Sequence, residues 1–297
     1  MVKLTDGVYA YVQEKGTMGI SNAGLVVSEK QALIVDTLTS IPHTEAFLKE
    51  VRVVTNKSIQ YLVTTHHHPD HCWGNHLLPE AISICHKDCR EAMKQMGQPD
   101  LSKFTEHSRN VDFSGVRFTL SDVTFDTALT IYLGSREIRV LHYGHGHTIG
   151  DAIVFLPEER VVFCGDLIFL YSTPMGVGAS FSGWINTLSK IAELDAAFYV
   201  PGHGPLCGRD GLLLCREYLT LIYNEARKAF DAGVSSKEAA IHIPLGKFKY
   251  WAEPERVILN VNTLYREFSG EDLTTPIDIF AQMKDMREMV TSGTFHT

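Results

Sequence analysis

No apolar stretch in this sequence approaches the roughly 18 residues that a membrane-spanning helix requires. Met1 to Gln13 lack the charged segment and apolar stretch of an export signal. There is no dense run of lysine and arginine either. The 27 basic residues face 35 acidic ones, and the net charge of −8 argues against nucleic acid, whose phosphates need a concentrated basic surface. Six cysteines, Cys72, Cys85, Cys89, Cys164, Cys207 and Cys215, are scattered through a long chain, so free thiols are expected rather than a disulfide scaffold. Internal repeats and low-complexity segments are missing as well. These absences leave a cytoplasmic protein that acts on a small molecule, with neither a membrane nor a nucleic acid as partner; a homodimer stays open.

What is present is a large apolar fraction, 44%, enough for a sizeable core in 297 residues. Short apolar runs at Val8–Val12, Leu25–Val27, Ala32–Asp36, Ile59–Thr65 and Ala81–Cys85 predict strands, with helices over His43–Val51 and His86–Met96. Residues 98–115 are polar and irregular, which predicts a surface loop. Strands are expected again at Arg117–Leu120, Leu129–Leu133, Ile138–His142, Ala152–Leu156, Val161–Cys164 and Phe198–Val200, with a helix over Trp184–Leu194. Beyond Pro205 the pattern turns helical: Leu212–Ala232, Glu238–Ile241 and Pro254–Phe268 are amphipathic, and Met283–Thr297 reads as poorly anchored. This divides the chain into a catalytic domain over 1–208 and a helical extension over 209–297.

Four segments carry the chemistry. His66-His67-His68-Pro69-Asp70-His71 follows the Ile59–Thr65 strand directly, where α/β sheets keep their sites. Gly146-His147-Thr148, Cys164-Gly165-Asp166 and Gly202-His203-Gly204 come next. Imidazole and carboxylate donors suit zinc, and also iron or manganese. A catalytic ion needs about three protein ligands and an open position. His66, His68, Asp70, His71, His147, Asp166 and His203 supply two such sites, with one carboxylate free to bridge.

In this order the set resembles the metallo-β-lactamase superfamily, over roughly residues 5 to 205. The pattern is most similar to its glyoxalase II, lactonase and thioesterase branches, which bridge their metals with an aspartate. Lactamases tend to carry cysteine or another residue there. His71-Cys72-Trp73-Gly74-Asn75 and Leu264-Tyr265-Arg266-Glu267-Phe268 also resemble uncharacterised bacterial members labelled cyclases. The resemblance implies an αββα sandwich with a C-terminal helical extension. It assigns His66, His68 and His147 to one metal, Asp70, His71 and His203 to a second, and Asp166 to the bridge. Two divalent ions, zinc first, would bind a hydroxide that attacks an ester-like bond, a thioester or lactone, with Asp70 as the catalytic group that orients it. The alternatives are an oxidoreductase like the mononuclear iron persulfide dioxygenases, and β-lactam hydrolysis as a side activity.

Several neighbours have plainer readings. His67 is expected to point away from the ligands, and His147 is favoured over His145 because Gly-His-Thr fits the family pattern. Asp151 could orient a ligand or cap the next strand. Cys72 and Cys164 are buried hydrophobes. His76, His86 and His107 are expected at the surface or in loops. Tyr143, Tyr171 and Trp184 could meet a substrate but are more simply packing residues.

Overall fold

The computed structural model describes residues 1–13, 16–107 and 111–293. Its first half builds a seven-stranded sheet in the order β1 to β7: Val2–Thr5, Val8–Tyr11, Ala23–Val27, Gln31–Val35, Ser58–Val63, Ile82–His86 and Val123–Phe125. The first four strands run antiparallel, and β4 to β7 are parallel. The parallel strands are joined through helices: α1 (Ile41–Val54), the one-turn α2 (Pro69–Cys72), α3 (Lys87–Met96) and α4 (Leu101–His107). A second sheet of five strands has the order β12-β11-β10-β9-β8. Its members are β8 (Ala128–Leu133), β9 (Arg136–Leu141), β10 (Ile153–Leu156), β11 (Val161–Phe169) and β12 (Phe198–His203). Helices α5 (Phe181–Ile191), α6 (Arg209–Asp231), α7 (Ser236–His242), α8 (Val257–Phe268) and α9 (Ile279–Thr291) complete the chain.

Period-two alternation explains the layering. In β4, Leu33 and Val35 face the second sheet, while Ala32 and Ile34 face Phe47 and Val51 of α1. In β11, Val161 and Phe163 face the first sheet, and Val162 and Cys164 face the helices beyond. Strands buried on both faces read as continuous apolar runs, and the result is the αββα sandwich with C-terminal helices. Those helices share one apolar cluster with the second sheet, running from Ile153 through Trp184 and Tyr218 to Met289. All six cysteines are free thiols. Among the described residues no helix is long and apolar enough to cross a membrane.

Four expectations need correction. The 98–115 stretch contains α4. Arg117–Leu120 is not a strand; Phe118 and Leu120 pack beside Trp73, and the ladder takes Val123–Phe125 instead. The tail is anchored: Met283, Met286 and Met289, at three-residue spacing, present one buried face of α9, while 294–297 lie outside the described residues. His86 is no surface residue. It is 1% exposed, caps α3 by accepting from Asp88 N, donates Nε2–H to Asp126 O at 2.6 Å, and stacks on His142 at 3.8 Å. His76 sits half-buried in a short 3-10 turn, and the side chain of His107 lies outside the described residues.

Gly24 of β3 faces the Phe163 ring of β11 across the sandwich, where an added Cβ would overlap the ring. Gly24→Ala is therefore expected to cost about 1–3 kcal/mol through overpacking. The check is a urea midpoint that falls at unchanged slope; wild-type stability would show that the sheets separate freely at this point.

Candidate metal centre

The carboxyl ends of β5, β11 and β12 meet at one edge of the sandwich, and each delivers polar side chains there. After β5 the chain bends, and Pro69 at the first position of α2 holds His68 extended, φ −69° and ψ 149°. The single helical turn then presents Asp70 and His71. In β11 the ladder breaks its register around Gly165, whose φ is +52°. A Cβ there would come within 2.6 Å of Thr65 Oγ1, so glycine is what lets the strand turn Asp166 inward beside the β5 loop.

Two groups of donors result. His66, His68, His147 and Asp166 form one, and Asp70, His71 and His203 the other; within each, the donor atoms all lie within 4.8 Å. Asp166 stands between them. Its Oδ2 is 3.3 Å from His147 Nε2 and 3.7 Å from His66 Nε2, while Oδ1 is 3.0 Å from His71 Nε2 and 3.4 Å from His203 Nε2. His68 Nδ1 and His147 Nε2 face each other at 2.9 Å, and Asp70 Oδ2 lies 3.2 Å from His203 Nε2. Bonds of about 2.0–2.1 Å at tetrahedral angles would set neighbouring donors roughly 3.3 Å apart. The observed spacings bracket that value. His66 Nε2, His71 Nε2 and Asp166 Oδ1 are buried without a hydrogen-bond partner, which is costly unless something else satisfies them. Both observations fit a pair of divalent cations.

The electrostatics separate the two groups. Burial, reinforced by neighbouring histidines, pushes His66 and His147 well below the usual imidazole range and His68 to about 3. These rings keep free lone pairs. Burial opposes charge on His203 and His71 too, but there it is overridden. The carboxylates of Asp166 and Asp70 hold His203 up at about 9, and those of Asp166, Asp36 and Asp70 hold His71 well above its ordinary value. Asp70, despite burial, stays at about 2 through His71 and His203, and Asp166 well below the usual range through His203 and His71. Protons and cations compete for these nitrogens.

All seven expected side chains are thus brought together. His67 joins neither group; its ring lines the adjoining cavity. His145 is held elsewhere, donating Nε2–H to Gly178 O at 2.8 Å. Asp151 bonds no ligand ring. It accepts from Thr148 N and Thr148 Oγ1, closing the turn that carries His147, and burial pushes its carboxyl up to about 7. Trp184 is buried against His147, and Tyr171 is exposed. Neither they nor Tyr143 line the cavity.

One residue escaped the sequence reading. Asp36, at the end of β4, accepts from Thr65 N and Thr65 Oγ1 at 2.8 Å and from His71 Nδ1 at 2.7 Å. A carboxylate on the outer nitrogen of a ligand histidine fixes its ring and tautomer. Asp36 does this from a left-handed conformation, φ +61°, which a non-glycine residue adopts only under constraint. The signal available was a carboxylate ending a buried strand beside the strand that leads into the histidine loop.

The family model described as the metallo-beta-lactamase superfamily matches residues 16–203. Among curated relatives, a type 2 metallo-beta-lactamase from Bacteroides fragilis is 27% identical over 222 residues, 71% of this chain and 81% of that protein. A beta-lactamase-like protein 2 homolog from Caenorhabditis elegans is 28% identical over 64% of this chain, which spans 58% of that relative. Among solved structures, a metallo-beta-lactamase from Pontibacter korlensis superposes with a TM-score of 0.60 at 20% identity, covering 74% of this chain and 97% of its own. A Pseudomonas aeruginosa enzyme in its mono-zinc form gives 0.57 at 22% identity, covering 74% and 93%. At such identities these structures speak for the fold.

Removing the outer support should loosen the site without emptying it. Asp36→Ala is expected to weaken zinc affinity about 10–100-fold, measured by competition with a chromophoric chelator. His147→Ala should abolish binding by its group, whereas His145→Ala should keep it. Unchanged affinity in Asp36→Ala would mean that His71 is oriented by other contacts.

Proposed function

Since the chain belongs to the metallo-beta-lactamase superfamily, we propose that it is a metal-dependent hydrolase that cleaves an ester-like bond, a thioester or a lactone, at a pair of divalent ions, zinc by the chemistry of the donors. The observation that carries this reading is the division of Asp166, one oxygen toward each donor group. His66, His68 and His147 would hold one ion and Asp70, His71 and His203 the other, with Asp166 available to both. Such a pair, when bound, supplies a water whose pKa falls from 15.7 to about 7 and positive charge beside the substrate carbonyl.

The chain's own residues do the rest. His68, Asp70, His147, Asp166 and His203 all reach the wall of a cavity of about 620 Å³, the size of a small-molecule site, so a substrate entering it meets both donor groups. In this reading Asp70, which lines the cavity, would accept a hydrogen bond from the attacking water and aim it. Phe169, stacked on the His203 ring at 4.8 Å and 8°, fixes that ring's plane and keeps bulk water from its face. β-Lactam cleavage is the second reading, favoured by the name of the Bacteroides fragilis relative.

Asp166→Asn keeps the shape but gives up the charge that both groups share. It is expected to lower metal content below the two equivalents expected of the wild type and to reduce turnover at least about a hundredfold, with circular dichroism unchanged. Full metal content with near-normal hydrolysis would overturn the bridging role. A thioester, a lactone and a β-lactam assayed on the same zinc-loaded preparation rank the substrates, and fastest turnover of the β-lactam would select the second reading. Saturation of the wild type at one equivalent, with oxygen uptake, would replace hydrolysis by an oxidoreductase.

A further inference from the structure

The cavity over the donor groups is walled on its other sides by several parts of the chain, and much of that wall is apolar. Phe104 comes from α4, Phe113 from the loop that follows, Val177 from the segment before α5, and Ile277, Phe280 and Met283 from the C-terminal end. Phe104 and Phe280 meet edge to face at 5.1 Å, and Phe104 is backed in turn by Trp73 at 4.7 Å, so the wall is a packed aromatic surface rather than a fringe of loose side chains. Residues after 203 lie outside the stretch matched by the family model, so this part of the wall belongs to the chain's own C-terminal helices.

Charge points the same way. Outside the two donor groups, the described lining residues include one lysine or arginine, Arg256, and it is not free to meet a substrate. It is 2% exposed, donates to Thr173 O, and is paired with Glu253 at 2.5 Å. Asp88 and Glu91 of α3 also line the cavity, and both are acidic. A carboxylate or phosphate carried away from the reacting bond would meet apolar rings and like charge, which is costly to bury.

We propose that the cavity selects uncharged substrates carrying an extended apolar chain beside the scissile carbonyl, with Phe104, Phe280 and Met283 as specificity-determining residues. The inference rests on the hydrolase reading above and adds the substrate class to it. Burying one methylene is worth about fourfold in affinity, so chain length is the variable to change while the reacting group is held constant.

The zinc-loaded full chain is assayed with two matched pairs: S-ethyl thioacetate against S-ethyl thiooctanoate, and γ-butyrolactone against γ-decalactone. The long member of at least one pair is expected to exceed its short partner at least about tenfold in kcat/KM. The S-ethyl thioester of suberic acid, which ends in a carboxylate, should lose that gain. Phe280→Trp, and on a separate element Ala92→Phe in α3, whose side chain also lines the cavity, should each lower the long-to-short ratio. Calorimetric binding of octanamide and acetamide gives a readout that needs no turnover, with octanamide expected to bind and acetamide to bind at least about tenfold more weakly. Equal rates within both pairs, preference for the suberic thioester, or equal amide binding would overturn the inference. If no substrate is hydrolysed but octanamide still binds in preference, the hydrolase reading fails and the apolar selectivity stands.

Discussion

Burying three imidazoles with free lone pairs against two carboxylates and two further imidazoles is the demand around which this molecule is arranged. Polar atoms hidden from water must be satisfied, and His66 Nε2, His71 Nε2 and Asp166 Oδ1 are not satisfied by one another. The surroundings accordingly fix the outer atoms of these rings and leave the inner ones converging. His71 is held by Asp36, His203 Nδ1 by Ile20 O at 3.1 Å, and His66 Nδ1 faces Thr65 Oγ1 at 3.1 Å. The register break at Gly165, the left-handed Asp36 and the Pro69 turn all serve the same convergence. Each departs from regular strand or helix, and each lies within a residue or two of a donor or its support.

Much of this was legible in the sequence because donors are chemically distinctive and lie at strand ends. A run such as His66 to His71 directly after a β-branched apolar strand has few structural explanations, and His147, Asp166 and His203 each follow or interrupt a recognisable apolar run. Asp36 was not legible as a support. Its role depends on β4 and β5 lying side by side in parallel, a pairing between residues far apart that local pattern does not encode. His86 was misread for a related reason: a polar ring is buried here only because Asp126 O accepts from it and His142 stacks on it.

The fold shows the same division. Strands with clean alternation or continuous apolar character were placed within a residue or two, as with Gln31–Val35 and Ile153–Leu156, whereas the strand expected to end at Cys164 runs on to Phe169 through the bulge at Gly165. Arg117–Leu120 has strand-like alternation, but its apolar side chains are used for packing beside Trp73 rather than for a ladder. Helix α9 hides its purpose because methionines at 283, 286 and 289 stand among charged residues, and the wide spacing becomes a buried face only when the partner surface exists. Val2–Thr5 is too short and too polar to announce itself, yet it closes the sheet's edge by pairing with β2.

The first sheet supplies His66, His68, Asp70 and His71 from the loop after β5, and the second supplies His147, Asp166 and His203 from the β9–β10 connection, β11 and β12. Each donor group contains members from both. An ion bound in either group would therefore be a strap across the sandwich, adding to the apolar contact and to the few hydrogen bonds, such as Asn22 Nδ2–H to Pro201 O, that already join its two halves. Its binding free energy is then also free energy against their separation. The four local donors can capture an ion before the sandwich closes, but the full set exists only once both sheets are in register. Metal supply and mechanical integrity are one variable in such a molecule: a chain starved of its ions would lose catalysis and at the same moment become easier to pull apart.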